Sequence, residues 1–178
     1  MEDKTKLYPS MRYICSTKFR LGMPHLAVVS VKPSVSDTRR SPVKLKLMTG
    51  SYSLQTNRPT SNQHHSTDCL LCKQAPETRA HFLIHCSALA TCRDPCMNRL
   101  SSTVKDILGI SLPDCTPDDV LLIILDVQKF VIQTRTVHMR DLDEIETVAR
   151  HLCYRLHNER WNLLNRLPRR DRAKKKKS

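Results

Sequence analysis

Glycine is nearly missing from this chain: 3 residues in 178. Aromatic side chains make up 4%. An all-β sandwich needs frequent tight turns and aromatic packing between its sheets, so both shortages argue against one. No apolar run reaches the roughly 18 residues of a membrane span. Met1 is followed by E-D-K-T-K, not by the basic and then apolar start of a secretory signal. The chain therefore reads as soluble, unsecreted and intracellular. Negative charge is short as well. Seventeen Asp and Glu against 30 Lys and Arg leave a net charge of +13. The excess is uneven: residues 1–65 hold 11 Lys/Arg against 3 Asp/Glu, residues 66–165 hold 11 against 13, and residues 166–178 hold 8 against 1. A basic arm and a basic tail thus flank a nearly neutral middle. Such an excess attracts phosphate backbones by counterion release, and it also serves plain solubility.

Leu, Ile and Val are plentiful enough for a helical core, and the length suits one ordinary domain. Eight cysteines are present. In a reducing interior they stay thiols, and close Cys/His spacing then reads as a metal site. One stretch has that spacing: Cys69, Cys72, His81 and Cys86, or C-x2-C-x8-H-x4-C. A structural zinc takes four thiolate or imidazole donors and keeps no open position. Cys69 and Cys72 would clasp one side of Zn2+ from a tight turn, and His81 and Cys86 the other. The spacing is shorter than that of a C2H2 finger and matches a knuckle. His64, His65 and His85 are nearby alternatives to His81. Lys73, Glu77 and Arg79, with three thiolates and Zn2+, bring the loop to about zero charge. It is no electrostatic magnet, so any nucleic-acid contact there would present backbone donors, Phe82 or apolar residues to unstacked bases.

The remaining chain predicts mainly α structure. Residues 1–40 read as an irregular basic arm with one short strand at His25–Val31. Residues 41–165 read as a helical domain containing the knuckle at 69–86, and 166–178 as a disordered basic tail. Ser41-Pro42 predicts the start of a short helix and Gly50 its stop, with a strand competing. Arg39, Arg40, Lys44 and Lys46 would form a basic cluster on it. Asp94-Pro95 predicts a kink or the start of a second helix ending at Gly109. Thr116-Pro117 predicts a third, apolar nearly all round and central to the core. The fourth starts near Asp141 and ends at Pro168, with Ile145, Val148, Ala149, Leu152, Leu156 and Leu163 inward and Arg150, Arg155 and Arg160 on its flanks. Cys92 and Cys96 read as buried structural thiols. Lys174, Lys175, Lys176 and Lys177 form a run that suits phosphate contact or a nuclear address.

Several blocks resemble a known family. K-L-K-L-M-T-G-S-Y-S-L-Q-T-N-R, the C-x2-C pair, P-E-T-R-A-H-F-L-I-H-C and E-T-V-A-R-H-L-C-Y-R-L-H-N-E-R look like the region C-terminal to the polymerase in animal non-LTR retrotransposon reverse transcriptases. The likeness spans roughly residues 10–165. It implies a zinc-knuckle module of a retroelement polyprotein that engages RNA or single-stranded DNA, with ligands at Cys69, Cys72, His81 and Cys86. Leu70 and Ser87 stand where the family often has proline, at turn-shaping positions that ligate nothing. The enzymatic parts of such a polyprotein are not found. Polymerase chemistry needs paired aspartates on a hairpin, and the only adjacent pair, Asp118-Asp119, opens a helix. The chain therefore reads as a non-catalytic fragment. A structural or protein-interaction module with no nucleic-acid binding of its own is the competing expectation.

Overall fold

A computed structural model describes residues 11–15, 25–30, 33–57, 66–132 and 137–168. Lys174–Lys177, His64 and His65 lie outside the described residues. Four helices form the frame: α1 (Asp37–Met48), α2 (Ala90–Leu108), α3 (Pro117–Val131) and α4 (Met139–Arg166). Among the described residues there is no strand, only an isolated antiparallel bridge between Asp68 and Pro76. The mainly helical expectation holds. No helix of the described residues is long and apolar enough to cross a membrane.

The third and fourth helices follow their sequence signals. Thr116 caps α3 with Asp119: the Asp119 amide donates to Thr116 Oγ1 at 3.2 Å, and the Thr116 amide donates back to the Asp119 carboxylate at 3.3 Å. That is a reciprocal capping box, with Pro117 at the first position, where its missing N–H costs nothing. Val120, Leu121, Ile123, Ile124, Leu125, Val127 and Val131 are buried, so α3 is a core helix. α4 packs against all three other helices. Its buried row, Ile145, Val148, Ala149, Leu152 and Leu156, keeps the 3/4 spacing read from the sequence.

The first two helices start earlier than expected. α1 begins at Asp37, and Ser41-Pro42 lies inside it. Asp37 supplies the start signal: its carboxylate accepts from the Ser34 amide at 2.9 Å and the Ser34 hydroxyl at 3.0 Å. α2 runs unbroken from Ala90, so Pro95 neither restarts nor ends it. Each proline sits in the second turn of its helix and is exposed. Water can reach the carbonyl each one leaves unpaired, which limits the usual penalty. The stops are where glycine marked them. Gly50 and Gly109 adopt φ of 73° and 67°, a left-handed geometry that side-chain-bearing residues adopt only at a cost.

His25–Val31 was expected as a strand, and residues 25–30 form a turn instead. The amides of Val28 and Val29 both donate to the His25 carbonyl, at 2.9 and 3.0 Å. With no neighbouring strand among the described residues to complete a ladder, apolar content alone does not make a β element. These residues, and 11–15, pack inward: Tyr13, Ile14, Leu26 and Ala27 join the core formed by the four helices.

Candidate metal centre

The Cys69–Cys86 stretch is built from two turns that face each other. The first holds Cys69 and Cys72. The Lys73 amide donates to the Cys69 carbonyl, and the Cys69 amide to the Ala75 carbonyl, both at 2.9 Å. To close this turn Lys73 takes φ of 57°, a left-handed conformation costing about 1 kcal/mol in a residue with a Cβ. The second is a single π-helical turn, His81–His85, closed by the Cys86 amide on the His81 carbonyl at 2.7 Å. That wider turn explains the H-x4-C spacing. In an α-helix, residues five apart point to different sides. A turn bonded over five residues stacks them, so His81 and Cys86 face the same point.

One ligand atom from each of Cys69, Cys72, His81 and Cys86 lies within 4.8 Å of the others. Cys69 Sγ and Cys86 Sγ are 3.7 Å apart, and Cys72 Sγ is 3.2 Å from His81 Nε2. A tetrahedral zinc with Zn–S near 2.3 Å sets two sulfurs about 3.8 Å apart, so the Cys69–Cys86 edge already has that length. Three sulfurs and one imidazole nitrogen suit zinc by softness as well as geometry. Cys69, His81 and Cys86 are buried and Cys72 is half-buried. Cys69 and Cys86 share a hydrogen bond that holds the Cys69 thiol down to about 4, helped against burial by the amides of Cys72 and Leu71. The same bond, with burial, pushes Cys86 up. His85 is exposed and stands outside the group, so it is not a spare ligand.

The loop is fixed to the helices largely by charged side chains, among them Arg160, expected on a flank of α4. Glu77, buried between the ligand pairs, accepts from Arg160 on α4 through both carboxylate oxygens, at 2.8 and 3.0 Å, and from the Gln55 amide at 2.9 Å. Arg79 donates to the carbonyls of Leu47 and Met48 at 3.2 Å, closing the C-terminal end of α1. Phe82 stacks on Tyr52 with ring centroids 5.3 Å apart. Arg93 Nη1 reaches the Cys86 carbonyl at 2.8 Å. Helical phase was the available clue to Arg160. It lies four residues beyond Leu156 on the inward row, and Glu77 is the only carboxylate between Cys69 and Cys86.

The expected nucleic-acid residues separate. Arg39 and Lys46 are exposed and Arg40 is half-buried. Lys44 is 0% exposed and ion-paired with Glu146, and Phe82 is 1% exposed. Neither can meet a ligand from solvent, because the helical phase of α1 turns Lys44 inward with Leu47 and the π turn points Phe82 at the core. Arg150 and Arg160 are likewise buried rather than decorating α4; of the three expected on its flanks, Arg155 alone is exposed. Of the aspartate pair, Asp119 caps α3 and Asp118 bonds Arg12 at 3.2 Å and Tyr13 Oη at 3.1 Å. Cys92 and Cys96 are half-buried on α2, not fully buried. No protein-family model, curated protein or solved structure matches the chain.

Proposed function

We propose that this chain is a non-catalytic, zinc-braced helical module that binds single-stranded RNA or DNA, corresponding to the C-terminal region of a non-LTR retrotransposon reverse transcriptase. The convergence of Cys69, Cys72, His81 and Cys86 within 4.8 Å carries the zinc half of this reading. Four protein donors leave no coordination position for a reactive water, so the ion's role is to hold the loop. Three of the four ligands are buried against the fold, and zinc binding then becomes folding free energy. The nucleic-acid half rests on the resemblance and on the charge: +13 overall, with Arg39, Arg40 and Lys46 accessible on α1 and Lys174–Lys177 in the tail. Base stacking by Phe82 drops out of the mechanism, since that ring is buried against Tyr52.

Metal analysis of reduced, tag-free protein should find one zinc per chain, and Cys86→Ser should lose it; wild-type protein without zinc would end the reading. The burial of Phe82 and of three ligands favours one rival, a zinc brace for protein–protein contacts alone. Titration with single-stranded RNA across salt separates the two. A steep fall in affinity from low to physiological salt supports the first, and no binding at low salt supports the rival.

A further inference from the structure

The seam between α2 and α4 opens into a cavity of about 270 Å3. Arg99 and Arg155 stand exposed at its edges, and Cys92, Cys96 and His151 line it half-buried. No carboxylate lines it. Arg40, from α1, lies near enough to act on His151. Arg99 of α2 and Arg155 of α4 thus share one seam, with Arg40 of α1 in electrostatic reach of it, and among the described residues none of the three is ion-paired. The two buried arginines of α4, by contrast, are matched: Arg150 with Asp37 and Asp143, Arg160 with Glu77. Cations gathered at a slot with no carboxylate in its lining attract an anion that can bridge them. A second metal does not explain the seam. Among the described residues the only convergent group of His, Cys, Asp and Glu is the one at Cys69–Cys86.

We propose that this seam binds a backbone phosphate of a single-stranded polynucleotide, with Arg99 and Arg155 as its forked donors and His151 and Arg40 completing the cradle. The proposal rests on the nucleic-acid reading above and gives it a site. Two guanidiniums at the edges of one slot suit the tetrahedral oxygens of a phosphate better than scattered surface lysines do. Burial first, then Arg40, Arg155 and Arg99, holds His151 below its ordinary 6.5, so at neutral pH its ring is uncharged and can donate one N–H without adding to the repulsion.

The test uses the zinc-loaded full chain and a labelled single-stranded oligouridylate, with binding followed by fluorescence anisotropy between about 50 and 200 mM salt. Arg99→Ala and Arg155→Ala should each weaken binding about tenfold and flatten the log–log salt slope by about 0.7. Arg99→Lys should keep the slope and lose part of the affinity. Arg140→Ala, an exposed cation outside the seam, should do neither. In wild-type protein, bound oligonucleotide should slow alkylation of Cys92 and Cys96 and leave Cys115 unchanged. Wild-type binding that is indifferent to Arg99→Ala and Arg155→Ala, with no protection of Cys96, overturns the seam while leaving the nucleic-acid reading intact. Absence of binding at low salt overturns both. Tighter binding of poly-glutamate than of the oligonucleotide assigns the seam to an acidic protein and also overturns the proposal.

Discussion

Lys44 and Glu146 are each fully inside the protein, joined as an ion pair. Glu146 also accepts from the Val127 amide at 2.9 Å. That amide is free because Asp126 leaves helical geometry (φ −157°, ψ 90°) and turns its carboxylate to the Cys15 amide at 2.7 Å. One buried pair thus repairs a broken turn of α3. Burial pushes the Glu146 carboxyl up, opposed by Lys44, so a charged Glu146 depends on its partner. Lys44→Met should therefore cost about 3–5 kcal/mol in urea unfolding, while Lys44→Met combined with Glu146→Leu should recover part of it, the Val127 amide then being left without its acceptor. An equal loss in both would show that the pair is not coupled. The sequence held a clue to Lys44. Read as a helix, the segment places Lys44 three residues before Leu47 and four before Met48, on the inward row. A cation on that row needs an acid from another element, and its partner is 102 positions away. Periodicity shows which way a side chain faces, but not what it meets there.

Among the elements, the ligand loop and α4 are joined most directly through Glu77 and Arg160. The candidate ligand pattern was legible because all four of its residues fall within a short span. The loop's attachment was not, because Arg160 is 83 positions from Glu77. Glu77→Gln keeps the shape and an acceptor but removes the charge that matches Arg160. Zinc content should stay at one per chain, while the thermal midpoint should fall by several degrees for the roughly 1–3 kcal/mol lost. With zinc chelated, the gap between variant and wild type should shrink, since an unheld loop no longer presents Glu77 to α4. An unchanged midpoint with zinc bound would show that the pair adds nothing. Helix boundaries were legible where local chemistry decides them, as at Thr116, Gly50 and Gly109. They were missed where a proline sits in the second turn of a helix, as at Pro42 and Pro95, because a start signal and a tolerated interior proline look alike in one dimension.

For the molecule as a whole, acid should act through its buried imidazoles. Burial first, and then Lys44, holds His25 below its ordinary 6.5, against the pull of Asp126. His157 and His151 are lowered as well, with burial the largest cause in each. A lowered histidine contributes stability that is present above the unfolded value and lost as pH falls through the folded one. Zinc-loaded protein should therefore weaken below about pH 6.5. His25→Asn should show a shallower decline in denaturation midpoint than wild type, since zinc release is common to both. Parallel declines would remove His25 from the account. The compactness of the ligand loop has a further consequence, for the order of folding. Only 17 positions separate Cys69 from Cys86, so closing that loop costs an unfolded chain little entropy. A zinc bound there could gather its four ligands before the helices dock. Such an ion would stabilise the native state by less than its affinity suggests, because the unfolded chain would also bind it. Glu77 and Arg79 would then be held near each other early, ready for α4 and α1 to close on them.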